Sequence, residues 1–156
     1  MARISTQEKE QKKAMMDEHI YQLFMTEGWD AVTYDRLAKD LNLRKSSIQA
    51  YYGKSIMFAT ALQGRVFPVV IEKLDLSSKE AFVESWIRAF HDENCHIFRD
   101  VVKMLLQNII KTGTSIHSKG AVLRIEQMLA QSIGEEEAKI SIKRVFGETL
   151  YSQMSI

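Results

Sequence analysis

Arg44, Lys45, Lys54 and Arg65 fall between Leu41 and Ile71, a stretch with no aspartate or glutamate. Around them stand Ser46, Ser47, Gln49, Tyr51 and Tyr52. Such a set suits a negatively charged, flat partner. Arginine or lysine can pair with guanine acceptors, and glutamine can bond adenine through two contacts. Hydroxyls such as those of Thr33, the two serines and Tyr51 can donate to phosphate oxygens. Lys54, at the head of an expected helix, adds its charge to free backbone N–H groups that bind anions. The N-terminal arm contributes Arg3, Lys9, Lys12 and Lys13, diluted by Glu8 and Glu10. By charge alone this patch reads equally as a solvated helix face.

A second group is His91, Cys95 and His96, with Asp92 and Glu93. His91 and Cys95 stand at i and i+4 and could share one helix face, as metal ligands do. A small metal-dependent enzyme is therefore one alternative. The ordinary reading is a polar helix end with a partly buried thiol, because no third or fourth ligand follows at suitable spacing. A Cys–His catalytic pair also needs an orienting partner and an oxyanion hole, and neither is visible. The glycines form no phosphate loop, and no nucleophile motif occurs. We expect no enzyme, no metal and no cofactor. A third group, Phe82, Trp86, Phe90, Phe98 and Met104, could line a cavity for an apolar ligand, with His91, Asn94 and Gln107 as polar groups. At helical spacing the same residues also read as plain core.

These residues need elements to position them. The chain has 156 residues and 46% hydrophobic content, enough for a real core. One proline and seven glycines leave long unbroken stretches and favour an all-α fold. A formal net charge of +1 requires any nucleic-acid surface to be local. The single Cys95 fits a reducing compartment. The N-terminal residues have no apolar core of a secretory signal, and no apolar run reaches bilayer length. The expectation is a cytoplasmic protein with no membrane contact.

Helical spacing of Met16, Ile20, Leu23 and Phe24 predicts a first helix, capped by Ser5 or Thr6 and ended by Gly28. Trp29 and Val32 fill the turn. Thr33 caps a second helix over 34–41, and Asn42 suits a left-handed turn. A third helix starts near Arg44 and runs to Tyr51, anchored by Ile48. A fourth opens near Lys54, bends between Arg65 and Pro68, and continues to about Leu74. Ser77 or Ser78 caps a fifth, and a sixth covers about 97–111. The segment 112–119 reads as a loop. Two last helices cover about 120–132 and 135–154, the latter with three glutamates at its positive end.

Helices at 34–41 and 44–51 joined at Asn42 and Leu43 form a helix-turn-helix. Leu37, Ala38, Leu43 and Ile48 hold the pair, which leaves the outer face of the second helix free for the major groove. The stretch FMTEGWDAVTYDRLAKDLNLRKSSIQAYYGKS resembles the DNA-binding domain of the TetR (tetracycline-repressor-like) family. Phe24, Gly28, Trp29, Thr33, Leu37, Ala38, Leu43, Lys45, Ile48, Tyr51, Tyr52, Gly53 and Lys54 carry the likeness. It departs at Asn42, where the family has glycine, at Gln49, where it has tyrosine, and in a spacing one residue shorter between Tyr52 and Lys54.

The resemblance implies an N-terminal three-helix DNA-binding domain over 1–54 and a helical dimerisation and ligand-sensing domain over 55–156. The DNA-binding residues it implies, together with the chemistry above, are Thr33, Arg44, Lys45, Ser46, Ser47, Gln49, Tyr51 and Lys54. The partner is double-stranded operator DNA, bound by a homodimeric repressor that a small apolar inducer releases. Val122, Ile125, Leu129, Ile142, Val145 and Phe146 are the dimer-interface candidates, and intramolecular core is their other reading. Control by a protein partner without a small molecule is the alternative, since the C-terminal region is short for the family.

Overall fold

The computed structural model describes residues 4–62, 64–112 and 116–154, and of residues 112, 116 and 117 only the backbone. Among the described residues every regular element is helical. The fold is all-α, as composition and periodicity predict. The chain divides into two compact units, Met1–Gln63 and Gly64–Ile156.

In the first unit, α1 spans Thr6–Glu27. Ser5 caps it through a capping box: its hydroxyl accepts the Glu8 N–H, and the Glu8 carboxylate accepts the Ser5 N–H. Met16, Ile20, Leu23 and Phe24 are buried along one face. Gly28 ends the helix at φ 93°, a conformation that side-chain-bearing residues avoid. A 3-10 turn, Trp29–Ala31, leads to α2, Tyr34–Leu41. The Thr33 hydroxyl accepts the Arg36 N–H at 3.1 Å and starts α2. Asn42 then adopts the left-handed conformation at φ 54°. Next comes α3, Lys45–Tyr51, with Arg44 as its N-cap.

The segment after α3 differs from expectation. Ser55–Ala61 is a 3-10 stretch that packs on α1, not an α-helix. Pro68 does not bend a helix; it lies in the first turn of a separate α4, Phe67–Glu72. A proline there removes only an N–H that has no helical partner in any case. Gly64, at φ 79°, lies in the break before it.

The second unit adds α5 (Lys79–Phe90), α6 (Ile97–Thr112), α7 (Ile116–Ile133) and α8 (Glu135–Met154). The Ser78 hydroxyl caps α5 by accepting the Ala81 N–H at 3.1 Å. Helix α8 packs on both α5 and α7, and α6 packs on α4, α5 and α7. Its aromatic centre is Trp86, edge-on to Phe82, Phe98 and Phe146 at 5.9, 5.0 and 5.6 Å between ring centroids. The Trp86 indole N–H donates to Thr149 Oγ1 at 2.9 Å, so its one polar group is satisfied inside the core. The expected loop over 112–119 is shorter than predicted. Residues 113–115 lie outside the described residues, but α6 reaches Thr112 and α7 already begins at Ile116. Buried Ser118 holds this first turn by accepting from Asn108 Nδ2 at 3.3 Å, an anchor that the polar composition conceals.

The left-handed turn at Asn42 gives a direct check. Asn42→Gly should leave stability within a few tenths of a kcal/mol of wild type, whereas Asn42→Val should cost about 1–2 kcal/mol in urea unfolding. Equal stability of the two variants would show that the turn tolerates a β-branched residue.

Candidate nucleic-acid interface

A seven-residue helix is too short to persist alone, so its neighbours must hold α3. Ile48 is fully buried and anchors it, and Leu37 of α2 is buried as well. The turn closes with Leu43 N–H donating to Ala38 O at 2.9 Å. With Ile48 turned inward, Arg44, Lys45, Ser46, Gln49 and Ala50 are exposed, and Ser47 and Tyr51 are half-buried. Thr33 and Lys54 are exposed at either end of the motif. The eight residues assigned to DNA from the sequence thus share one small unit. Lys54 is the N-cap of the 3-10 stretch rather than of an α-helix. Arg3 of the N-terminal arm lies outside the described residues.

Two features were not anticipated. Lys45 Nζ lies 3.3 Å from Asp35 Oδ1, an ion pair across the α2–α3 junction. Both partners are well exposed, so the pair is weak and a phosphate can compete for the lysine. The other is an ionic network on α1 and α2. Arg36 donates to both carboxylate oxygens of Asp40 and to Glu27, and His19 Nε2 lies 2.9 Å from Asp40. Bonding to Arg36 lowers the Glu27 pKa. Asp40 is lowered by His19 first and then by Arg36. Arg36 is therefore committed to the scaffold. Its i,i+4 spacing to Asp40 was the only sequence signal.

The end of α3 is tied to three other elements. Tyr52, fully buried, donates its phenol O–H to Asp17 of α1. Lys13 pairs with Asp17 at 2.8 Å, and its ammonium lies 4.6 Å from the Tyr52 ring centroid. The Tyr34 hydroxyl of α2 donates to the Tyr52 carbonyl at 2.6 Å. Phe58 packs against both tyrosine rings, at 4.8 Å from Tyr34 and 5.2 Å from Tyr52.

The second unit distributes the remaining candidates. Phe82, Trp86, Phe90 and Met104 are buried in its core, whereas His91 and Gln107 are exposed. The cleft between Trp86, Phe90, His91 and Thr149 holds about 50 Å³. Ile125, Leu129, Ile142 and Val145 are buried within the single chain, and Val122 and Phe146 are half-buried. Among the described residues no three His, Cys, Asp or Glu side chains are grouped to hold a metal ion, so His91 and Cys95 gain no further ligand there. Among the described residues no helix is long and apolar enough to cross a membrane.

A family model described as the tetracycline repressor LuxT C-terminal domain matches residues 63–152, more than half of the chain. A comparison with curated proteins gave no match.

The ionic network makes the stability of the chain sensitive to acid. Glu27 and Asp40 both titrate below their ordinary values, so their contribution is present above about pH 4 and is lost as pH falls through the lowered values. Urea midpoints should therefore fall between about pH 5 and pH 3, and less steeply in Arg36→Gln. Identical pH profiles for the two proteins would remove the network from the account.

Proposed function

Because the chain belongs to the tetracycline repressor LuxT C-terminal domain family of transcriptional regulators, we propose that it is a dimeric, sequence-specific DNA-binding repressor. Residues 1–54 bind the operator, and the remainder dimerises and receives the controlling signal. The observation that carries this reading is the division of α3: Ile48 is buried, and Arg44, Lys45, Ser46 and Gln49 are exposed together. An inserted α3 would place Arg44, Lys45 and Gln49 at base edges. Thr33, Ser46, Ser47, Tyr51 and Lys54 would bond phosphates and fix the register.

Dimerisation supplies the second half-site that such a motif needs. With Ile125, Leu129, Ile142 and Val145 serving the core of one chain, one surface open to a partner is the outer side of α8. There Ile140 is 47%, Leu150 47%, Tyr151 69% and Met154 74% exposed, a concentration of apolar area on one helix.

Two modes of control remain open to such a regulator. A small apolar inducer at Phe82, Trp86, Phe90, His91, Met104 and Gln107 would have to enlarge the cleft beside Trp86 well beyond its 50 Å³. Ligand pockets for small molecules hold about 300–1,000 Å³. The filled space around Trp86 weighs against an inducer at these six residues, and control by a protein partner is the second reading.

Selection from a random duplex pool tests the DNA reading. Lys54→Ala and Tyr51→Phe should weaken binding to all sequences, and Lys54→Ala should reduce the salt slope by about 1. Gln49→Ala should instead relax preference at one base pair, by about 1–3 kcal/mol. If all three variants bind the selected operator as wild type does, α3 is not the reading helix. For the dimer, Ile140→Asp should shift sedimentation from dimer to monomer at micromolar concentration; an unchanged dimer would place the interface elsewhere.

A further inference from the structure

The C-terminal end of α3 is held by one residue with three separate attachments. Tyr52 meets α1 through its phenol and α2 through its carbonyl. Its ring meets Phe58 of the following segment. The N-terminal end of α3 is held by the backbone of the Asn42 turn and an exposed Lys45–Asp35 pair, and Arg44 adds no side-chain capping hydrogen bond. The turn joins the near end of α3 to α2 alone, whereas Tyr52 ties the far end of this seven-residue helix to three elements beyond its single buried anchor, Ile48.

We infer that Tyr52 and Asp17 form a positioning clamp: the bond from the buried phenol to the half-buried carboxylate fixes the angle at which α3 presents its outward side chains to base edges. The inference rests on the DNA-binding reading and adds to it two residues that touch no DNA. Tyr52 is fully buried and so inaccessible to a ligand. Asp17 is an anion, which the phosphate backbone would repel. Lys13 belongs to the same device. Its charge is engaged by Asp17 and by the ring of Tyr52, so it offsets the carboxylate at the partly exposed end of the bond. Burial, and after it the bond to Asp17, raise the Tyr52 pKa far above neutrality. The phenol therefore remains a donor throughout the physiological pH range.

A merely stabilising bond and a positioning bond separate in one experiment. Nonspecific binding depends on charge and tolerates a loose helix, whereas base reading requires fixed geometry. Tyr52→Phe keeps the ring and its packing and loses only the donor. Measured well below its melting temperature, it should lose about tenfold of the ratio between selected-operator and nonspecific affinity, the scale of a hydrogen bond to a charged group. Asp17→Ala should lose as much, and the double variant no more than either single one. Asp17→Asn keeps an acceptor oxygen and should retain most of the ratio. Hydrogen exchange of the free proteins should show faster amides in 45–51 for Tyr52→Phe and Asp17→Ala, with the α1 amides unchanged.

An unchanged operator-to-nonspecific ratio in folded Tyr52→Phe would overturn the clamp while leaving the DNA reading intact. If wild type itself selects no sequence, the DNA reading fails. The exchange arm still decides the clamp in that event: unchanged amides in 45–51 would end it. Should Tyr52→Phe not fold, Asp17→Ala and Asp17→Asn carry the same comparison.

Discussion

The burial of Ile48 is the contact on which the rest of the first unit depends. A helix of seven residues has too few internal hydrogen bonds to offset the entropy of ordering its backbone. One fully buried isoleucine contributes about 1.5–3 kcal/mol, enough to hold the helix if its ends are also constrained. The constraint at one end is the Asn42 turn; at the other it is Tyr52 with its partners on α1 and α2. Everything outward on α3 follows from that. Once Ile48 points in, helical geometry leaves Arg44, Lys45, Ser46, Gln49 and Ala50 in solvent.

The second unit is organised around a different contact, the Trp86 ring within Phe82, Phe98 and Phe146. Its indole N–H is satisfied by Thr149, which in turn donates to the Val145 carbonyl at 2.7 Å. Tryptophan thereby links α5 to α8 with no polar cost. A core tied in this way resists opening, because a ligand entering there would have to break the indole bond as well as displace aromatic packing.

Much of the arrangement was legible in the sequence because local chemistry dictated it. Gly28, Thr33 and Asn42 mark element ends through backbone requirements that few other residues meet and occupy the expected positions, and of the paired candidates Ser5 or Thr6 and Ser77 or Ser78 the caps are Ser5 and Ser78. Pro68 was misread because its effect depends on register: it breaks a helix interior yet suits a first turn, and spacing alone did not say which. The polar segment 112–119 hid helical turns, since Ser118 is buried by a tertiary partner, Asn108. In the first unit the outward residues of α3 could be read from periodicity. The bonds from Tyr52 to Asp17 and from Arg36 to Glu27 could not. They join residues distant in sequence, and no periodic pattern encodes such pairs.

On the proposed reading α3 enters DNA and the second unit does not. Titrating isotope-labelled protein with a duplex selected from a random pool tests it residue by residue. Insertion of α3 should concentrate amide shifts at Arg44–Ala50, Tyr51 and Lys54, with Thr33 also moving. Shifts centred instead on α7 and α8, with 44–54 unmoved, would contradict it.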